Sequence, residues 1–145
     1  MHVQIKESIH SVLVVEDEMI VAMLVEDLVR ELGVHDVHIC SDVATALQLV
    51  ETVSIDFAVL DLRLRDGTSM EIADALAERG IPFIFSSGSN AAALDKRHAA
   101  RPMIGKPFHD DDFKLMILDT WTMMQPERAP GGQARARVAT SGATD

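Results

Sequence analysis

The sequence has one cysteine, no long apolar run and no surplus of basic charge, and each shortage closes off a class of protein. Cys40 alone cannot make an internal disulfide and has no partner thiol for a zinc site. Lying beside Val37 and Ile39, it reads as a small buried hydrophobe. No stretch approaches the roughly 20 consecutive apolar residues of a membrane-spanning helix. Residues 1–10 mix Lys6, Glu7 and two histidines with isolated apolar side chains, which is not the layout of an export signal. A soluble, cytoplasmic chain with no membrane role is expected. Thirteen basic residues stand against 23 acidic ones, for a net charge of −10. That balance repels nucleic acid and leaves no basic stripe to follow a phosphate backbone. A cation or a basic protein surface is the better partner.

What is present suits one domain. The chain has 145 residues, 48% of them apolar, enough for a proper core and too few for two ordinary domains. Residues 126–145 are rich in Ala, Gly, Pro, Arg and Thr without apolar periodicity, the composition of a disordered tail. The expected layout is an N-terminal extension over 1–10, a folded domain over 11–125 and that tail. Within the domain, five short apolar runs (Val12–Val15, Val37–Cys40, Phe57–Leu60, Phe83–Phe85 and Met103–Ile104) read as strands. Between them lie helical spacings: Ile20, Leu24, Leu28 and Leu32 ending at Gly33; Val43, Leu47 and Val50 behind an Asp42 cap; Ile72, Ala73, Leu76 and Ala77 stopping at Gly80; and Phe113, Met116, Ile117 and Trp121. Asp66-Gly67 reads as a turn, and the short, Ala-rich stretch from Asn90 to Arg101 predicts a fourth helix that is brief or poorly ordered. Met19, Met23, Met116, Met123 and Met124 fall at helical spacings and are assigned to core packing. The six histidines show no zinc-ligand spacing. Strict alternation of strands and helices predicts a doubly wound α/β fold of the flavodoxin-like kind, a five-stranded parallel sheet in the order 2-1-3-4-5 with helices on both faces.

Ligands of such folds sit at the carboxyl ends of the strands, and those ends carry chemistry here. The first run ends in Glu16-Asp17-Glu18, the third in Asp61, the fourth in Ser86-Ser87-Gly88 and the fifth in Gly105-Lys106-Pro107. Glu16-Asp17-Glu18 alone would pass for a helix start that favours acidic residues. Asp61 changes that reading, because an ionisable residue directly continues the apolar run Phe57-Ala58-Val59-Leu60. Clustered carboxylates repel one another unless protons or a cation hold them, and hard oxygen ligands in moderate number suit Mg²⁺.

These residues resemble the receiver domain of bacterial two-component response regulators: Val14-Val15-Glu16-Asp17-Glu18, Leu60-Asp61-Leu62, Ser87-Gly88 and Lys106-Pro107-Phe108 follow in order, each at a strand end. Phe85-Ser86-Ser87-Gly88 further resembles a subgroup of stand-alone receivers whose fourth strand ends in Phe-Ala-Thr-Gly. The resemblance implies a phosphorelay protein, not an enzyme with a separate substrate, in which Asp61 takes a phosphoryl group from a sensor histidine kinase or a histidine phosphotransfer protein. It further implies that Asp17, Asp61 and the backbone carbonyl of Arg63 ligate Mg²⁺, that Glu16 acts through a metal-bound water, and that Lys106 and Ser87 hold phosphoryl oxygens. Signalling would run through contact with a downstream regulator protein, as a monomer or a phosphorylation-dependent dimer. Receivers of this family carry an aromatic switch residue three positions before the lysine, where this chain has Met103, and generally a cis peptide before the proline that matches Pro107. Arg63 and Ser89, two residues beyond Asp61 and Ser87, stand where side chains shield or admit the hydrolytic water. Two other readings compete. One is a constitutive, phosphorylation-independent protein-binding receiver. The other is a phosphatase-like enzyme acting on a small metabolite, which lacks a second acid–base carboxylate near Asp61, since Leu62-Arg63-Leu64 supplies none.

Overall fold

The computed structural model describes residues 9–88 and 94–124. In chain order the elements are β1 (Ser11–Val15), α1 (Met19–Glu31), β2 (Asp36–Cys40), α2 (Val43–Thr52) and β3 (Phe57–Asp61), a short hairpin of β4 (Arg63–Leu64) and β5 (Gly67–Thr68), then α3 (Met70–Glu78), β6 (Phe83–Ser87), a single 3₁₀ turn at Lys96–His98, β7 (Met103–Gly105) and α4 (Asp110–Met124). The five long strands pair in parallel in the order β2-β1-β3-β6-β7, the order expected for the five apolar runs. The sequence offered no sign of the β4–β5 hairpin beyond its Asp66-Gly67 turn, because two-residue strands carry no periodicity.

The strands read as unbroken apolar runs because both faces of the sheet are covered. Side chains alternate between two cores. Val12, Val14, Phe57, Val59 and Ile84 pack with Val25, Leu28 and Val29 of α1 and with Phe113 and Ile117 of α4. Leu13, Val15, Ala58, Leu60, Phe83 and Phe85 pack with Ala46 and Val50 of α2 and with Ile72, Ala73 and Leu76 of α3. Cys40 joins the second core, where burial pushes its thiol up to about 11. Ile9 packs into the first core, and the His10 amide donates to Asp56 Oδ2 at 2.8 Å.

Helix ends follow local chemistry. Asp42 caps α2 by accepting from the Thr45 amide at 2.7 Å. Beyond α3, Gly80 takes φ +71° and the Ile81 amide turns back to the Leu76 carbonyl at 2.9 Å, a left-handed exit that suits glycine.

Several expectations about the helices need correction. The buried stripe of α1 is Ala22, Val25, Leu28 and Val29, continued by Leu32, whereas Ile20 is 83% and Leu24 40% exposed. Met19, Met23, Met123 and Met124 are exposed instead of packing in the core, whereas Met116 and Trp121, though half-buried, do pack against the first core. In α4 the third buried side chain is Thr120. Among the described residues of the Asn90–Arg101 stretch there is only the 3₁₀ turn; residues 90–93 and the tail expected at 126–145 lie outside the described residues.

Candidate functional site

The chain crosses from one side of β1 to the other between β2 and β3, so the carboxyl ends of β1 and β3 diverge into a crevice. Glu16 follows β1 directly and is anchored there, its amide donating to the Cys40 carbonyl at 3.0 Å. Asp61 is the last residue of β3, in register with Ser86 of β6. Ser87 and Gly105 are register partners at the ends of β6 and β7, and the Lys106 amide donates to the Ser87 carbonyl at 2.8 Å. Backbone pairing alone therefore brings Glu16, Asp61, Ser87 and Lys106 to one rim.

Lys106 Nζ lies 3.0 Å from Glu16 Oε1 and 3.3 Å from Asp61 Oδ2. The ammonium thus bridges two carboxylates. The other oxygen of Glu16 accepts from the Glu18 amide at 3.1 Å. Glu16, Asp61 and Ser87 are buried, at 4%, 7% and 7% exposure. Burial pushes the Glu16 carboxyl up to about 7; the Lys106 hydrogen bond opposes that shift and the Asp61 charge adds to it. For Lys106, burial works against the charged form, but the hydrogen bond and attraction of Glu16, with Asp61, outweigh it and hold its pKa above the ordinary value.

Carboxylate oxygens of Glu16, Asp17 and Asp61 all lie within 4.8 Å of one another. An acidic oxygen cluster that one ammonium only part-neutralises fits a hard divalent cation. Above it opens a cavity of about 510 Å³ lined by Asp17, Glu18, Val21, Leu24, Asp61, Arg63, Gly88, Lys106, Pro107 and Phe108. The Lys106-Pro107 peptide is cis.

Three contributors to this site were not foreseen. Arg65 Nε lies 3.9 Å from Asp17 Oδ2, with the Arg65 side chain 83% exposed, a placement that depends on the unpredicted hairpin. Val21 and Leu24 line the cavity because the apolar stripe of α1 is rotated from the expected phase.

The sequence pattern of the response regulator receiver domain matches residues 12–118. The chain belongs to that family. Among solved structures, this receiver is similar to SdrG from Sphingomonas melonis Fr1, with 38% identity over 80% of this chain and 96% of that one and a TM-score of 0.67. It is also similar to the BeF3-activated conformation of SdrG from Pseudomonas melonis Fr1, with 39% identity over 77% and 96% of the two chains and a TM-score of 0.66. A CheY-like receiver domain protein from Methanospirillum hungatei JF-1 is 21% identical over 83% and 99%, with a TM-score of 0.73, and shares the fold. None of the curated proteins compared is similar enough to count as a match. Membership places this receiver in two-component signalling, with the flavodoxin-like fold expected from its sequence. No helix among the described residues is long and apolar enough to cross a membrane.

Proposed function

We propose that this receiver is a cytoplasmic phosphoacceptor switch: Asp61 takes a phosphoryl group from the phosphohistidine of a sensor histidine kinase or a histidine phosphotransfer protein, and the altered surface signals to a downstream regulator protein. The observation that carries this reading is the Lys106 ammonium bridging Glu16 and Asp61 beneath an open cavity, beside a third carboxylate. A carboxylate oxygen of Asp61 attacks phosphorus, the imidazole nitrogen leaves with the P–N electron pair, and an aspartyl phosphate results. Phosphoryl transfer asks chiefly for positioning and for neutralisation of oxygen charge. Lys106 is already held for this, since Glu16 keeps one bond to it while Asp61 exchanges its own. Ser87, at the end of β6, supplies a hydroxyl for another phosphoryl oxygen.

Asp17, Asp61 and the Arg63 carbonyl would hold Mg²⁺. Both oxygens of Glu16 already have partners in Lys106 and the Glu18 amide, which favours contact through a metal-bound water. When bound, Mg²⁺ supplies positive charge for the transferring phosphoryl oxygens. The only reactions of the chain are its own phosphorylation and dephosphorylation, as a monomer or a phosphorylation-dependent dimer.

The test is intact-protein mass after incubation with acetyl phosphate, with Mg²⁺ or with a chelator. Gain of one phosphoryl group only with Mg²⁺ is expected. A folded protein that gains nothing, and shows no beryllofluoride adduct by native-state mass measurement, would be a constitutive binding receiver instead.

The raised Glu16 carboxyl makes a second prediction. A cation on the rim favours the ionised form, so protons compete with Mg²⁺ below about pH 7. The apparent Mg²⁺ affinity should fall about tenfold between about pH 8 and about pH 6, one proton being displaced. Calorimetric titration of the native chain reads this, and Glu16→Gln should flatten the dependence.

A further inference from the structure

His98 is 3% exposed and has no part in the rim, yet its ring is held by aromatic, carboxylate and guanidinium partners. Its ring stands edge-on to Phe83 at 6.0 Å and to Phe85 at 6.2 Å. Its Nε2 lies 2.8 Å from Asp74 Oδ1 on α3, and Arg101 Nε lies 3.5 Å from its Nδ1. The partners assign the tautomer: Nε2 carries the proton and donates to the carboxylate, while Nδ1 accepts. Arg97 forks onto the same carboxylate at 2.7 and 2.8 Å, and Arg101 stacks over Phe83 at 4.7 Å. The segment from Asp95 to Arg101 is thus fixed to α3 and β6 largely through one ring and one carboxylate. Those contacts hold the Asp74 carboxyl down at about 2, the Arg97 hydrogen bonds contributing most.

Phe83, Phe85 and Ser87 alternate along β6 and so face the same side of the sheet. His98 rests on two of them, and the third is the residue whose hydroxyl serves the site. Met103, in register with Phe85, brings no ring to that surface. The ring there comes from His98, five residues earlier and outside the strand.

We propose that His98 is the positioning residue that couples the Ser87 end of β6 to α3, taking the place of a strand aromatic, with Asp74 as its anchor. The proposal rests on the phosphoacceptor reading. Displacement of Ser87 toward a phosphoryl group shifts Phe85, the His98 ring follows, and its bond to Asp74 transmits the shift to α3. The face around Asp74 and Arg97 then reports the state of a site at the other end of the strand.

The experiment uses the full chain with Mg²⁺ and beryllofluoride, read by backbone amide NMR. In the native protein, shifts are expected both at the rim (Ser87, Gly88, Lys106) and along α3 (Met70–Glu78). His98→Phe keeps the ring and loses the anchor, so it should leave the rim shifts intact and abolish most of those along α3. His98→Gln can donate to Asp74 but has no ring, and should restore little. Asp74→Asn keeps an acceptor and the volume, and should retain a partial α3 response. Undiminished α3 shifts in folded His98→Phe and His98→Gln would overturn the coupling role. If one variant fails to fold, the other decides. Absence of rim shifts in the native chain would instead overturn the phosphoacceptor reading itself.

Discussion

Asp61→Asn should carry no phosphoryl group under conditions that label the native chain fully, a loss of at least about a thousandfold in labelling rate. The reason is chemical. An amide oxygen has neither the negative charge nor the basicity to displace a phosphoryl leaving group, and any adduct would be too labile to accumulate. The substitution is nearly isosteric, and the buried site keeps its main ion pair, because Lys106 remains 3.0 Å from Glu16. Three carboxylates share the rim, so removal of one relieves like-charge repulsion. Asp61→Asn should therefore be at least as stable as the native chain in the absence of Mg²⁺, with an equal or higher urea midpoint and an unchanged slope. That pairing of a dead acceptor with an intact fold separates a chemical role from a structural one. Label that persists in Asp61→Asn would move the acceptor to Asp17, the more exposed of the two aspartates. A large loss of stability would make the Lys106–Asp61 pair structural.

Much of this molecule was legible from its sequence because its sheet is buried on both faces. A half-exposed sheet hides its strands in alternation, but here Val12–Val15 and Phe57–Leu60 are continuous apolar runs, and an acid that ends such a run has only one place to go. Glu16, Asp61, Ser87 and Lys106 are brought together by strand register, which the order of the elements fixes. Helix phase was less legible. On α1 the spacing Ile20, Leu24, Leu28, Leu32 is as regular as the true stripe, and the residues that distinguish them are small or β-branched: Ala22, Val25 and Val29. Large apolar residues were taken for core, although the N-terminal half of α1 exposes them. The hairpin that brings Arg65 to Asp17 is too short to have a pattern. The His98–Asp74 contact spans 24 positions and joins a loop histidine to a helix aspartate; neither residue marks itself before α3 and β6 are assembled.

The misread face of α1 carries the second large prediction. Met19, Ile20, Met23 and Leu24 are 71%, 83%, 55% and 40% exposed, and the pairs Met19–Met23 and Ile20–Leu24, each at a spacing of four, form two adjoining rows on the helix. Leu24 also lines the cavity over Asp61, together with Val21 and Phe108, so the patch continues into the site. A large exposed apolar patch beside a reactive group marks a docking surface. On the phosphoacceptor reading, the occupant expected on this face is the protein that carries the phosphohistidine, because the patch runs into the cavity through which its imidazole would reach Asp61. Ile20→Glu combined with Met23→Glu keeps good helix formers at exposed positions and should leave the fold unchanged. It should slow transfer from a phosphorylated sensor kinase or phosphotransfer protein by about 10- to 100-fold, as loss of one or two apolar anchors does at interfaces. Labelling by acetyl phosphate, which needs no docking, should stay within about twofold of native. Parallel kinetics with the two donors check this. Equal slowing of both would mean that the face shapes the acceptor site itself, and no slowing of either would mean that the protein donor approaches Asp61 from the side of the Arg63–Arg65 hairpin instead.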